Sequence, residues 1–397
     1  MPDHPTRDDI DLVSGAFWGG DPHEAFTWMR ANAPVYWDGT AWGITRYADL
    51  KAISKDPATF SNAKGIRADA DAIPMMIDMD DPEHLRRRKL INKGFTPARV
   101  REREDEVRAV CDQIIDRVAE RGECDFVWDI AAPLPLIMIG NDLGVAPEDR
   151  DQLLTWSDAM LTALTGDPES IGPATEAFIG YTEYATSVIA DRKAEPRDDL
   201  MSVLCHAEVD GDVLTHDELV HESLLILIGG DETTRHVISG GAWQLLADRR
   251  QWDLLAADPT KLTVGIEEML RWVTPIKNMN RTATRDVVVG GQQIHEGDNV
   301  LLLYPSANRD EDIFDEPFRF DVERTPNDHV AFGFGTHFCL GNSLARLELR
   351  VMFEQLLARL PDLELVSPEE PANRAANFVS GYESMPVRFS PVAPIGA

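Results

Sequence analysis

The stretch from residue 215 to residue 247 limits the fold more than any other part of the chain, because it predicts one uninterrupted helix of about 33 residues. Thr215 is followed three residues later by Glu218, the spacing of a capping box, which marks where the helix begins. At roughly 1.5 Å per residue, a helix of this length crosses a whole domain. The sequence therefore predicts a fold dominated by helices.

Further helical patterns cover residues 99–121, 147–164 and 173–193, and the patterns typical of strands are short. The strand-like stretches are residues 34–37, 41–46, 286–304 and 383–390. Neither an internal repeat nor a long linker interrupts the 397 residues, and 43% of them are hydrophobic, enough for a large core. We expect a mainly α protein with a smaller β portion, organised as a single domain over residues 1–397.

The middle of the long helix, "LLILIGGDETTRH", combines two glycines with polar groups in an otherwise apolar segment. Each glycine in a helix interior costs about 1 kcal/mol relative to alanine. Gly229 and Gly230 therefore indicate that something approaches the helix backbone closely. One interpretation is a packing face with a kink. The other is a flat ligand lying over the glycines, with Glu232 and Thr233 handling protons.

The four cysteines are scattered, without the spacing of a zinc site or of a disulfide framework. Three of them, Cys111, Cys124 and Cys205, are expected to be small buried hydrophobic residues. Cys339 differs because glycines at positions 333, 335 and 341 surround it and a helix is expected from about Leu340. The amide groups at a helix start stabilise a thiolate. Such a thiolate could be a nucleophile or a metal ligand.

Two pairs of charged residues have helical spacing. Glu268 and Arg271 are three residues apart, a spacing that is most often a surface ion pair. His84 and Arg88 are four residues apart and could reach two carboxylates of one ligand, although a solvated basic face gives the same pattern.

The net charge of −31 makes nucleic acid an improbable partner and disfavours anionic membranes. The first residues contain no apolar segment typical of a signal peptide, and the longest apolar runs are far too short to span a bilayer. We therefore expect a cytoplasmic protein without membrane insertion.

Taken together, four motifs occur in the order and spacing of the cytochrome P450 family, which this chain resembles over essentially its whole length. The motifs are "HLRRR", "GGDETT", Glu-x-x-Arg and "FGFGTHFCLG", at residues 84–88, 229–234, 268–271 and 332–341. The resemblance implies a triangular, mainly α fold that holds haem b between the 215–247 helix and a helix over 340–358. It also implies that Cys339 is the axial iron ligand.

The resemblance implies roles for further residues. Those matching positions that bind the haem or its propionates are His84, Arg88, Gly230, Arg281, Phe332, Gly333, His337 and Gly341. Glu232 and Thr233 match the acid and alcohol that organise water and deliver protons. Glu268, Arg271 and Arg324 match a structural network behind the haem.

The reaction implied by the family is insertion of one atom of dioxygen into a C–H bond, with two electrons from a separate partner. We expect a ferredoxin and a ferredoxin reductase, docking on the basic residues Arg86, Arg87, Lys89, Arg346 and Arg350. Among P450s, three segments look like the actinobacterial oxidases of the sterol side chain: "PMMIDMDDPEHLRRRKL", "LLILIGGDETTRH" and "ANFVSGYESMPV".

This closer resemblance implies hydroxylation of a terminal methyl of cholesterol or cholest-4-en-3-one. The residues expected to line the substrate pocket are Ile73, Met75, Met76, Ile226, Gly229, Met279 and Phe378. Two alternatives stay open: oxidation of another large apolar substrate, such as a terpenoid or a fatty acid, and a haem-thiolate sensor or carrier without catalysis.

Overall fold

The computed structural model describes residues 4–162 and 168–396, and it confirms a mainly α architecture with a small β portion. In chain order, the α-helices of these residues are α1 Gly15–Gly19, α2 His23–Asn32, α3 Tyr47–Ser54, α4 Glu83–Ile91, α5 Pro97–Glu102, α6 Glu104–Ala119, α7 Pro133–Asp142, α8 Arg150–Thr162, α9 Ile171–Ala194, α10 Leu200–His206, α11 His216–Ala247, α12 Arg249–Ala257, α13 Leu262–Val273, α14 Tyr304–Ala307 and α15 Asn342–Arg359. A π-helical turn, Phe126–Ala131, leads into α7.

The strands are short, and most of them were expected. They are β1 Val35–Trp37, β2 Trp42–Ile44, β3 Phe60–Ser61, β4 Glu123–Asp125, β5 Asn278–Ala283, β6 Val287–Val289, β7 Gln292–Ile294, β8 Asn299–Leu303, β9 Glu364–Leu365 and β10 Pro386–Arg388. They form a sheet of order β1-β2-β8-β5-β3, a sheet of order β4-β10-β9 and the hairpin β6-β7. In the first sheet β5 runs antiparallel to β8, with Arg281 opposite Val300.

Helix α11 begins where the sequence predicts. The Thr215 hydroxyl accepts from the amide of Glu218, and the Glu218 carboxylate accepts from the amide of Thr215, at 3.3 and 2.8 Å. The helix packs against α7, α9, α13 and α15, and most of its side chains are buried. It therefore runs through the interior, and polar residues of its middle part, such as Glu222, Asp231 and His236, are buried.

Two predicted helices have different boundaries in the structure. The expected helix over 99–121 is divided between α5 and α6, with Arg103 between them. The reason is local: Glu104, Asp105 and Glu106 are three acids that favour the start of a new helix. The expected helix over 147–164 has a 3-10 turn, Pro147–Asp149, before α8, and its last residues, 163 and 164, lie outside the described residues.

Two large apolar clusters stabilise the helical part. One joins α6, α7, α11, α13 and α15, and the other joins α7 and α11 to α8, α9 and α10. None of the helices described between residues 4 and 396 has both the length and the apolar character needed to cross a bilayer.

Candidate active site

A largely apolar cavity, here called the central cavity, lies between α11 and the loop that precedes α15. Fourteen residues predicted for the site line it: Met76, His84, Arg88, Ile226, Gly229, Gly230, Thr233, Met279, Arg281, Phe332, Gly333, His337, Cys339 and Gly341. They come from the 3-10 turn Met76–Asp78, from α4, α11 and β5, and from the loop over residues 332–341, here called the cysteine loop.

The loop that carries Cys339 is held by backbone hydrogen bonds and by two glycines with positive φ. The amide of Cys339 donates to the carbonyl of Phe332 at 2.9 Å. Gly333 and Gly335 have φ of +70° and +77°, which favours glycine at both positions. A Cβ on Gly335 would also overlap the carbonyl oxygen of Ser54. The glycines of the motif therefore give the loop the shape that presents the thiol to the cavity.

The electrostatic environment of Cys339 is only partly the one expected. Burial raises the pKa of the thiol, while amides of Gly341 and Asn342 and the nearby Arg88 and Arg346 act in the opposite direction. The amides at the start of α15 thus point at the sulfur as the sequence predicts. Desolvation outweighs them, and a cation bound at the sulfur would favour the thiolate.

Four cationic or hydrogen-bonding side chains converge at one end of the central cavity: His84, Arg88, Arg281 and His337. The rings of His84 and His337 have centroids 4.1 Å apart. Nε2 of His84 is buried and has no hydrogen-bond partner among the described residues. Burial and the charges of His84, Arg281 and Arg88 lower the pKa of His337 to about 2. These groups can bind an anion, because Arg88 and Arg281 carry positive charge and the neutral histidines can donate hydrogen bonds.

The residues fit the haem that the resemblance implies. A haem carries two carboxylates, which would accept from the unpartnered Nε2 of His84 and from the guanidinium groups at this end of the cavity. The rest of the lining is apolar, as a porphyrin requires, and Cys339 supplies a sulfur on one wall. His84, Arg88, Arg281 and His337 would hold the carboxylates, and Cys339 would bind the iron.

The opposite wall of the central cavity is the middle of α11. A Cβ on Gly229 would meet no described atom within 4 Å, whereas a Cβ on Gly230 would lie 3.0 Å from Cδ1 of Ile139 on α7. Gly229 therefore leaves open space in the cavity, and Gly230 permits close packing of the two helices. Thr233 lines the cavity, and its hydroxyl donates to the carbonyl of Gly229 at 2.9 Å.

Glu232 does not line the central cavity. Its carboxylate is 2% exposed and pairs with Arg235 on the same helix and with Nη1 of Arg374, the latter at 3.3 Å. Arg374 also contacts Asp158 at 3.1 Å, and the Asp158 side chain is 42% exposed. The acid expected to handle protons thus lies beside Thr233 in sequence but is joined to the surface through Arg374.

The three residues expected behind the site form one buried network. Nε and Nη2 of Arg271 donate to the two carboxylate oxygens of Glu268 at 2.7 and 2.8 Å. Arg324 donates from Nε to the same carboxylate at 3.1 Å. Arg271 also reaches the carbonyls of Asn308 and Pro317. The network joins α13 to the segment before the cysteine loop.

Three residues expected in the substrate pocket lie outside the lining of the central cavity. The side chain of Ile73 is 46% exposed in a loop. Met75 is buried in the apolar cluster that contains Leu90. The ring of Phe378 lies under the guanidinium of Arg67 at 5.4 Å. Each belongs to a segment predicted to line the pocket, but its own side chain is absent from the lining of the central cavity.

Several polar residues at or beside the site were not predicted. Tyr304 and Glu348 line the central cavity, and burial followed by the charge of Asp231 raises the pKa of Glu348 to about 8. Asp231 is 1% exposed, and burial is the main cause that raises its pKa to about 7. Glu348 could have been found, because it interrupts the apolar pattern of α15 four residues after Leu344.

The basic residues expected to dock a partner are mostly paired with acids. Arg86 contacts Glu83, Asp212 and Glu218, and Arg87 contacts Glu83, Glu218 and Glu222. Arg346 pairs with Glu267, and Arg350 pairs with Glu104 and Glu354. The surface therefore carries both signs of charge, because the acids of neighbouring helices lie between the arginines.

Comparison with known proteins gives consistent results. The profile of the family described as Cytochrome P450 matches residues 260–380. The chain is 54% identical over 395 residues to a steroid C26-monooxygenase of Mycolicibacterium smegmatis, covering 98% of both chains. It is 55% identical over 394 residues to a steroid C26-monooxygenase of Mycobacterium tuberculosis, covering 98% of this chain and 99% of the other.

Solved structures share the fold. The Mycobacterium marinum cytochrome P450 CYP268A2 in complex with pseudoionone has a TM-score of 0.88 and 35% identity, covering 98% of this chain and 100% of the other. CYP109E1 from Bacillus megaterium in complex with testosterone has a TM-score of 0.86 and 31% identity, covering 94% and 100%.

Proposed function

This chain belongs to the cytochrome P450 family and is a haem-dependent monooxygenase, and from that premise we propose that it hydroxylates a terminal methyl group of a sterol side chain. The substrate would be cholesterol or cholest-4-en-3-one. The observation that carries the proposal is identity of 54% and 55%, over 98% of this chain, to proteins named steroid C26-monooxygenase. The apolar lining of the central cavity supports it, because a sterol is large and apolar.

The bound haem supplies the chemistry that activates dioxygen and transfers one oxygen atom to carbon. In the proposal Cys339 holds the iron from one wall, and the opposite wall at Gly229 leaves room for the reacting end of the substrate. Thr233 would present a proton on its hydroxyl Oγ1. Glu232 would replace that proton after its carboxylate leaves Arg374, whose guanidinium keeps its own protons and holds the acid beside Asp158.

Attack at the end of the side chain requires positioning by the protein. A terminal methyl C–H bond is stronger than the adjacent tertiary one, so unrestrained oxidation would favour the tertiary carbon. Met76, Ile226 and Met279 line the central cavity and would restrict the side chain so that its end faces the haem. The rigid steroid nucleus would lie farther away, in the apolar part of the cavity.

Two electrons must come from a redox partner, as in other monooxygenases of this family. We propose a ferredoxin and a ferredoxin reductase as that partner. The mixed surface around Arg346 and Arg350 would dock the ferredoxin. We also propose a cytoplasmic location, on the sequence grounds given above.

The test is the identity of the product. Haem-loaded protein, a ferredoxin, its reductase and NADPH are incubated with cholest-4-en-3-one, and the product is identified by mass spectrometry against standards. A terminal alcohol or the corresponding acid is expected. Androst-4-ene-3,17-dione, which has the steroid nucleus but no side chain, is the control. It should give far less oxidised product than cholest-4-en-3-one. Ring hydroxylation, tertiary hydroxylation or no turnover of cholest-4-en-3-one would overturn the proposal, and a parallel assay with a fatty acid tests the alternative substrate class.

A further inference from the structure

A second cavity of about 540 Å³ lies beside α11 and shares no lining residue with the central cavity. One wall is the face of α11 that carries His236, Gly240 and Gln244. The others come from the start of α2, the end of α13 and residues 370–373 and 380–382. Unlike the central cavity, it is lined by several polar and charged side chains.

Two cations face the second cavity without an acidic partner. Arg309 is 2% exposed and donates from Nη2 to the carbonyl of Trp272 at 2.9 Å. Its Nε and Nη1 have no acceptor within the described part of the chain. Nζ of Lys277 donates to the carbonyls of Val273 and Thr274 at 3.3 and 3.2 Å. In residues 4–162 and 168–396, neither cation has a carboxylate within ion-pair distance.

Two histidines add further donors. His236 is 2% exposed, and neither ring nitrogen has a hydrogen bond to any residue the structure describes. Its Nε2 lies 4.0 Å from a carboxylate oxygen of Glu232. Nδ1 of His23 is also buried without a described partner. Burial, and then nearby cations, lower the pKa of both histidines, so each ring is neutral and carries one N–H.

The carboxylates that line the second cavity are exposed and occupied. Asp21 accepts from the amide of His23 at 3.0 Å. Glu370 accepts from the hydroxyl of Tyr382 at 2.6 Å. The buried Arg309 and His236 of this cavity are therefore donors, Lys277 is partly buried, and the acids lie where solvent reaches them.

We propose that the second cavity is a binding site for a small oxyanion, held by Arg309 and Lys277 with His236 as an additional donor. A buried cation without a counter-ion is strongly unfavourable. This chain has a net charge of −31, so acidic residues that could serve as the counter-ion are abundant in it. An anion entering from solvent would satisfy Nε and Nη1 of Arg309 and the free N–H of Lys277. This inference does not depend on the substrate proposed above.

The pKa values of the two cations agree with a site that lacks its anion. Burial and the charge of Arg309 lower the pKa of Lys277 to about 7. Burial, and then the charge of Arg271, lower the pKa of Arg309 to about 9. A bound oxyanion would raise both values again, because it favours the charged forms.

The chemistry fits an inorganic oxyanion and a carboxylate equally, and the experiment separates them. Haem-loaded protein is titrated by calorimetry with inorganic phosphate and, separately, with acetate, at constant ionic strength. Saturable binding is expected, tighter for phosphate if the site takes inorganic oxyanions and tighter for acetate if it takes carboxylates. Absence of saturable binding of either anion would overturn the proposal.

The matched variants are Lys277→Met and Lys64→Met. Lys277 is chosen over Arg309 because it is only partly buried, so its replacement should leave the fold intact, which an unchanged haem spectrum verifies. Lys64 is an exposed lysine remote from the second cavity lining and serves as the control. We expect Lys277→Met to weaken anion binding at least tenfold and Lys64→Met to leave it unchanged. Equal affinity in Lys277→Met and the parent protein would contradict the site.

Discussion

Thr233 combines a place in the central cavity with a hydroxyl that is already bonded to its own helix. If it presents a proton during turnover, Thr233→Ala should bind haem and substrate nearly as well as the parent but form less product per NADPH and more hydrogen peroxide, by roughly tenfold or more. Product and peroxide are measured together.

Thr182 is a matched control for that experiment. It also lies on a helix, α9, and its hydroxyl donates to the carbonyl four residues earlier, Phe178, at 2.7 Å, but it does not line the central cavity. Thr182→Ala should therefore leave the product yield unchanged. Parent-like yield and peroxide in Thr233→Ala would assign that hydroxyl to packing.

His84 is the side chain whose orphaned nitrogen best indicates an absent acceptor. His84→Ala should weaken haem retention by about 1 to 3 kcal/mol, the range of a hydrogen bond to a charged group. Transfer of haem to an apoprotein acceptor, followed by absorbance, measures the loss. His206, whose Nδ1 contacts a backbone carbonyl in α10, provides the control His206→Ala. Unchanged haem transfer in His84→Ala would exclude it as a haem partner.

At the scale of elements, the conformation of the cysteine loop depends on backbone dihedral angles that favour glycine. Gly335→Ala would place a side chain at φ +77° and into the carbonyl of Ser54. We expect loss of at least about 2 kcal/mol of unfolding free energy, with loss of haem, because both strain and overlap oppose the native loop. Urea unfolding of the haem-loaded protein measures it.

Gly172 offers the matched control, since a Cβ there would meet no described atom within 4 Å and φ is not positive. Gly172→Ala should leave stability unchanged or slightly higher, as alanine favours a helix. If Gly335→Ala were as stable as the parent, the loop would have to adopt a second conformation.

The elements that the sequence predicted best are those determined by local pattern. Helix α11 could be predicted to within one residue because Thr215 and Glu218 form its cap. The split at Arg103 was missed because the acidic residues that start α6 lie inside one continuous helical pattern. Strand β5 was missed because it contains buried polar residues such as Asn278 and Asn280. The second cavity could not be predicted, because Lys277, Arg309 and His236 meet only through tertiary packing.

At the scale of the whole molecule, ion pairs between distant helices make stability depend on pH. Burial raises the pKa of Glu267, but hydrogen bonds from Arg346 and His329 outweigh it, and the pKa falls from 4.5 to about 2. A depressed pKa contributes stability above the unfolded value, and that contribution is lost as pH falls from about 4.5 towards 2.

Glu267→Gln should therefore be less stable than the parent above pH 5, and the difference should shrink as pH falls below about 4.5. Urea unfolding at several pH values measures the difference. Glu323→Gln, at an exposed ion pair with Lys261, is the control and should show little change at any pH. A difference independent of pH would mean that Glu267 contributes through packing alone.

The loop around Arg374 contacts an early part of the chain, because Asn377 donates to the carbonyl of Val13 at 2.7 Å. Strand β10, which follows the loop, pairs with β4. During synthesis on a ribosome, α11 and Cys339 emerge before this loop does. Glu232 therefore gains Arg374, and the second cavity its outer wall, only after synthesis has passed residue 382. A nascent chain stalled before residue 374 can hold the thiol and the long helix, yet it lacks the link from Glu232 to the surface.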